Sequence, residues 1–264
     1  MKANIITVVN KKGGVGKTAT AQAIGTGIAH SGYKTLLIDL DAQRDLTSYF
    51  YGSKQEMDQI DHTSFELLTK DAEPAQTIKH TEFEKLDLIP ASKALAFIDK
   101  ELNAPVGNEE RLREALEPIC NDYDFIVIDT PRIMDLCTTN ALVACDNVIL
   151  TAEADEASID AIEDTLQMIL TIKKYRNNKL NVLGVLITRY KNTSIHKRNL
   201  EIIKDIANSC GISVFNTPIR EGTALQEVRS MKASLYAYAP KSHICEDYTA
   251  LVNEIENLIS NVIR

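Results

Sequence analysis

The run Asn10-Lys11-Lys12-Gly13-Gly14-Val15-Gly16-Lys17-Thr18 sets three glycines, three lysines and a closing hydroxyl side by side. Glycines let the backbone turn so that successive N–H groups point inward, and a helix starting at the end of the run adds its positive N-terminal end. Lys17 supplies a full charge and the Thr18 hydroxyl can ligate Mg²⁺, so a triphosphate with its metal fits. The run departs from the usual G-x-x-x-x-G-K-[ST] pattern: Lys11 stands where the first glycine would be, and Lys12 precedes Gly13. Two carboxylate sites accompany it. Leu36-Leu37-Ile38-Asp39-Leu40-Asp41-Ala42-Gln43 carries two acids one residue apart, and Phe125-Ile126-Val127-Ile128-Asp129-Thr130-Pro131 is an apolar run ending in an acid that would hold Mg²⁺ through water.

These groups must be brought together by their elements. Short β-branched runs predict strands at 4–9, 34–39, 85–89, 124–129, 147–151, 181–188 and 213–216. Apolar residues recurring at three and four positions predict helices at 18–29, 109–121, 156–175, 194–209 and 246–263. The polar stretch 50–61 reads as a loop with short helical turns. The alternation specifies an α/β fold, a mostly parallel twisted β-sheet flanked by helices on both faces. In such a sheet strands end at the nucleotide edge, where Asp39, Asp41 and Asp129 would meet the glycine run. The 264 residues, 44% of them apolar, are expected to form a single domain. The first strand begins at Asn4 without a basic leader or a membrane-length run, so a cytoplasmic protein is expected. Cys120, Cys137, Cys145, Cys210 and Cys245 are scattered and suggest neither disulfides nor a metal site.

Lys12-Gly13-Gly14-Val15-Gly16-Lys17-Thr18 resembles the K-G-G-x-G-K-[ST] loop of the deviant Walker family of P-loop NTPases, which includes ParA, MinD, Mrp-type carriers and the nitrogenase iron protein. The likeness to ParA/Soj-type partition ATPases extends through Thr138-Thr139-Asn140-Ala141-Leu142, Gly184-Val185-Leu186-Ile187-Thr188 and Thr217-Pro218-Ile219-Arg220. The resemblance implies a catalytic set of Lys12, Lys17 and Asp41. Lys12 would reach the phosphates held by the other subunit of a dimer, and Asp41 would position the attacking water. It also implies that Thr18, Asp39 and Asp129 serve the metal, and that Gly13 to Ala19 together with Thr188 and Pro218 surround the nucleotide. Ala42 stands where the family has proline after D-x-D, and Arg132 where it often has a second proline. With the first strand starting the chain, the helix-turn-helix extension of longer partition proteins is not expected.

The formal charge of −8 argues against a generic basic nucleic-acid binder, but its distribution is uneven. Between Asp164 and Glu201 no acid occurs, while Lys173, Lys174, Arg176, Lys179, Arg189, Lys191, Lys197 and Arg198 occur. The strand at 181–188 separates two subclusters by roughly 20 Å. Arg189, Lys191, Lys197 and Arg198 fall on the nucleotide side, where an ATP dimer would join two such groups on DNA phosphates. The expected cycle follows the resemblance: ATP and Mg²⁺ close a homodimer on non-specific, nucleoid DNA, and slow hydrolysis, accelerated by a ParB-like centromere-binding protein, releases it. A MinD-like membrane ATPase is the alternative. Against it, the tail 253–264 has two acids and one base and reads as a packed helix.

Overall fold

The computed structural model describes residues 2–102 and 107–262. Seven strands, β1 (Asn4–Val9), β2 (Thr35–Asp39), β3 (Lys79–His80), β4 (Leu86–Ile89), β5 (Phe125–Asp129), β6 (Asn147–Glu153) and β7 (Asn181–Thr188), form one sheet of order β3-β4-β2-β5-β1-β6-β7. All neighbours are parallel except the edge pair β3 and β4. Every residue of β2, β4 and β5 is buried, because helices cover both faces and leave no solvent side to reward a polar alternation.

The helices are α1 (Lys17–His30), α2 (Lys54–Asp58), α3 (Ser64–Thr69), α4 (Pro74–Thr77), α5 (Ile98–Glu101), α6 (Arg111–Leu116), α7 (Leu136–Ala144), α8 (Glu156–Tyr175), α9 (Ser194–Ser209), α10 (Ala224–Met231), α11 (Leu235–Tyr238) and α12 (His243–Val262). Side chains alternate across each strand, so the sheet feeds two cores. Leu36, Ile38, Ile126 and Ile128 pack with Leu142 of α7, Leu166 of α8 and Ile203 of α9. Leu37 and Val127 pack on the opposite face with Ile24 of α1 and Tyr248 and Ile255 of α12. α1 is buried nearly all round, and it lies so close to the sheet that a Cβ on Gly25 would stand 2.5 Å from Leu37 Cδ2.

β1 lies between β5 and β6, so the chain leaves β1 for one half of the sheet and later returns to build the other. The crevice at such a switch point is where α/β sheets bind ligands. Register completes the arrangement: Asp39 is opposite Asp129, and Asp129 is opposite Val8, so the ends of three strands converge on the glycine run.

Several elements differ from expectation. The predicted helix 109–121 shrinks to α6, since Pro118 lacks the N–H a continuing helix needs. The predicted strand 213–216 reduces to a single bridge from Val214 to Val185. β6 runs on to Glu153, paired with β7 throughout. The terminal helix begins at His243, and its predicted last residue, Ile263, lies outside the described residues. α7 and α10 fall outside the predicted helices. α7 is capped by Asp135, whose side chain accepts from the Thr138 N–H, and its buried Thr and Asn residues hide the apolar stripe.

Candidate functional site

The glycine run is held from beneath. Buried Asn10 donates its amide to the Thr151 carbonyl (2.5 Å) and accepts from the Lys12 N–H (2.8 Å), which ties the loop to β6. Thr188, at the end of β7, donates to the Val15 carbonyl (3.1 Å). Gly14 and Gly16 adopt φ of 83° and 74°, the left-handed region that favours glycine. Gly16 is also the N-cap of α1 and offers no side chain to its first turn, so those N–H groups remain open to an anion.

Lys17 is buried, with its Nζ 3.3 Å from the Lys12 carbonyl it donates to. Burial lowers its pKa, while the charges of Asp129 and Asp41 oppose that shift and Arg132 adds to it. Asp129 is fully buried and neither carboxylate oxygen has a hydrogen-bond partner. Its pKa is pushed well above the carboxylate range, first by burial and then by Asp39, with the nearby Thr18 hydroxyl and Lys17 countering. Two orphaned buried oxygens beside a threonine hydroxyl form an all-oxygen donor set suited to hydrated Mg²⁺, so Thr18 and Asp129 fit that ion.

Asp39 differs. Its Oδ2 accepts from the Thr47 N–H (2.8 Å) and hydroxyl (2.7 Å), and its Oδ1 accepts from the Asp41 N–H (3.0 Å). Burial still raises its pKa to about 6 against those bonds. Both oxygens are therefore engaged in shaping the loop 40–47. Asp41 is half-buried and accepts from the Gln43 N–H (2.9 Å), leaving its carboxylate on the cleft wall.

A cleft of about 530 Å³ opens over these groups, lined by Gly13, Gly14, Gly16, Lys17, Thr18, Ala19, Asp41, Gln43, Asp45, Tyr49, Arg132 and Arg229. A second cavity of about 190 Å³ shares Gly16, Ala19, Tyr49 and Arg229 with it and continues past Thr188, Ile219 and Tyr248. The pair offers a phosphate compartment and, beyond it, room for a base. Pro218 is on neither wall; its neighbour Ile219 takes that place.

Lys12 does not line the cleft. Its ammonium pairs with Asp155 (2.7 Å) and donates also to Ser158 Oγ (3.1 Å) at the start of α8. The basic group divides in two. Arg189 pairs with Glu153 (3.2 Å) and Lys191 with Glu221 (3.0 Å), whereas Lys197 and Arg198 are exposed in the first turns of α9. Thr47, Asp155 and Arg229 join the site without any mark in the sequence pattern. Arg229 pairs with Asp45 (2.6 Å) across 184 residues of sequence, a separation that leaves no local signal.

A parallel sheet with its switch point beside a glycine loop, a buried lysine at the start of a helix and a buried aspartate at the end of a neighbouring strand defines a P-loop nucleotide hydrolase fold. The family described as an AAA domain matches residues 3–182. The sporulation initiation inhibitor protein Soj of Bacillus subtilis (strain 168) is 32% identical over 251 residues, covering 95% of this chain and 97% of that protein. The crystal structure of cobyrinic acid a,c-diamide synthase from Mycobacterium smegmatis with bound ADP and magnesium aligns with a TM-score of 0.81 at 27% identity, over 95% of this chain and 93% of that one. A putative plasmid partition protein from Borrelia burgdorferi B31, bound to AMPPNP, aligns with a TM-score of 0.79 at 26% identity, over 97% and 99%. The chain belongs to the ParA/Soj-type family of deviant Walker P-loop ATPases.

Proposed function

We propose that the 264 residues act as one unit that binds ATP with Mg²⁺, closes into a homodimer on DNA and hydrolyses the nucleotide to let go, as a partition ATPase. The observation that carries the reading is Asp129: a buried carboxylate with two unpartnered oxygens, beside Thr18 and Lys17 at the open end of α1. Such an arrangement is unfavourable in isolation and becomes favourable when a metal and phosphates enter. Mg²⁺, when bound, screens the phosphate charge and polarises the terminal phosphoryl group. Loop amides from Gly13 to Thr18 and the Lys17 ammonium hold the phosphates, Ala19 and Thr188 bound the space beyond them, and Asp41 orients the attacking water.

Lys12 is the switch element of this reading. Its bond to Asp155 holds it within its own subunit, and dimer closure would exchange that partner for the neighbour's phosphates. Lys197 and Arg198 then supply the first DNA contacts. They sit at a helix N-terminus with no acid in that turn, where the dipole disfavours cations, so helix stability does not account for them. Arg189 and Lys191 join only if DNA displaces Glu153 and Glu221. Turnover is slow until a ParB-like partner engages, and the protein is cytoplasmic and nucleoid-associated in its ATP form. Membrane attachment through the tail is disfavoured because Leu251, Val252, Ile255 and Ile259 of α12 are buried in the core. Among the described residues no helix is long and apolar enough to cross a membrane.

Sedimentation velocity with a slowly hydrolysed ATP analogue tests the cycle. Wild type should shift to dimer with the analogue and remain monomer with ADP, while Lys12→Ala binds nucleotide and stays monomer. A Lys12→Ala protein that dimerises normally removes the cross-subunit assignment.

A further inference from the structure

One cation in the cleft has no part in that cycle. Arg132 stands three residues past Asp129, in the loop between β5 and α7, and lines the same cleft as Lys17, Thr18 and Asp41. Among the described residues its guanidinium has no ion-pair or hydrogen-bond partner, whereas the other guanidinium on the cleft wall, Arg229, is bound to Asp45 at 2.6 Å. Its position is built into the loop opposite. A Cβ on Gly13 would stand 3.3 Å from Arg132 Cδ and 3.8 Å from Nη1. Gly13 is not among the residues with positive φ, so its backbone does not demand glycine. The missing side chain instead leaves room for the arginine stem over the phosphate loop.

The charge balance points the same way. Arg132 repels the buried Lys17 ammonium, which the Asp129 and Asp41 charges attract, so two mutually repelling cations share the cleft wall. A polyphosphate resolves that repulsion. In hydrolysis the charge of the transferred phosphoryl group spreads over three equatorial oxygens, and a planar guanidinium can bond two of them at once.

We propose that Arg132 is a catalytic residue that reaches, within its own subunit, the terminal phosphoryl oxygens of bound ATP and stabilises their charge during hydrolysis. Water oxygen forms the new bond to phosphorus as the bond to the bridging oxygen breaks. The electron pair leaves on ADP, and the water proton passes to phosphate or solvent. Lys17 and Arg132 thus approach the same group from two sides of the loop. This role rests on the ATP hydrolysis proposed for the protein.

The test compares wild type, Arg132→Ala and Arg132→Lys in steady-state ATP hydrolysis, ADP binding and trapping of ADP with aluminium fluoride. Arg132→Ala should lower kcat by about 1,000-fold, the lower edge of what an arginine at a transferred phosphoryl group provides, and should fail to trap the fluoride complex. ADP affinity should stay within about twofold, since ADP lacks the contacted group. Lysine should restore only part of the rate, because it keeps the charge and loses the fork. Mixing Arg132→Ala with Asp41→Ala subunits, both of which bind ATP, fixes the geometry: a residue acting in its own subunit gives no recovery, and recovered turnover would overturn the assignment. So would an Arg132→Ala protein whose kcat is within about threefold of an active wild type, or one that loses ADP binding equally. A wild type inert toward ATP would instead sink the hydrolysis reading itself, and this assignment with it.

Discussion

Asp129→Asn should make the nucleotide-free protein more stable while abolishing its response to Mg²⁺. The wild-type carboxylate is fully buried with no close hydrogen bond to either oxygen. Burying a charge costs several kcal/mol even after relaxation, more here than the nearby Lys17 ammonium and Thr18 hydroxyl return, since its pKa stays well above the carboxylate range. A neutral amide in the same place leaves polar atoms unsatisfied at about 1–3 kcal/mol. Lys17 loses an attractive neighbour in the exchange. The balance is a gain of roughly 2 kcal/mol, or about 4–8 °C in Tm for a chain of this size. The sign with pH follows from the raised pKa. The folded carboxyl binds its proton more tightly than the unfolded one, so wild-type stability falls as pH rises through the window between the ordinary and the raised value. Asp39, raised to about 6, contributes in the same direction. The asparagine variant lacks the Asp129 part, so its advantage should grow as pH rises above the ordinary carboxylate range and shrink as pH falls back through it. Thermal melts in EDTA across that range, repeated with Mg²⁺ and an ATP analogue, read both effects. A variant that melts below wild type at the alkaline end, or whose advantage does not change with pH, refutes the argument.

Lys17→Ala should lower ATP affinity by at least about 100-fold, as expected when a charge-assisted phosphate bond is removed from a partly desolvated site, with the circular-dichroism spectrum retained. Isothermal titration checks it. Asp41→Ala should bind ATP and dimerise yet turn over about 100-fold more slowly, since it removes a group that orients water rather than one that holds nucleotide. Near-normal turnover would move the catalytic assignment elsewhere. Thr47→Val deletes the hydroxyl that donates to Asp39 (2.7 Å) and accepts from the Ala91 N–H (2.9 Å), leaving buried groups unpaired. It should cost about 2–3 kcal/mol in urea unfolding, and an unchanged midpoint would show that Asp39 needs no such support.

The phosphate loop is legible in the sequence because its demands are local: left-handed glycines, a strand before and a helix after all leave marks within a short stretch of chain. The buried strands are legible for the same reason, as apolar runs such as 125–129. What the sequence hides depends on distance. Thr47 acts through Asp39, Lys12 is held by Asp155, and Arg229 reaches Asp45 from near the other end of the chain. Periodicity misleads where side chains are small or polar but still buried, as in α7, and where a proline cuts a helix-like pattern, as at Pro118. The four-residue basic group is readable as charge alone. Only its three-dimensional surroundings divide it into Arg189 and Lys191, already paired with acids, and the exposed Lys197 and Arg198.

The central claim, that nucleotide state controls DNA binding by an acidic protein, is tested most directly by fluorescence-anisotropy titration of a non-specific duplex over a series of salt concentrations. With a slowly hydrolysed ATP analogue and Mg²⁺, wild type should bind with little sequence preference and a steep decline in affinity with salt, while the ADP form binds far more weakly. The Lys197→Ala/Arg198→Ala double variant should still dimerise, and its log–log salt slope should fall by about 0.9 for each DNA phosphate that the two side chains neutralise in wild type. Equal affinity with ATP analogue and ADP, or an unchanged slope in the double variant, would contradict the account.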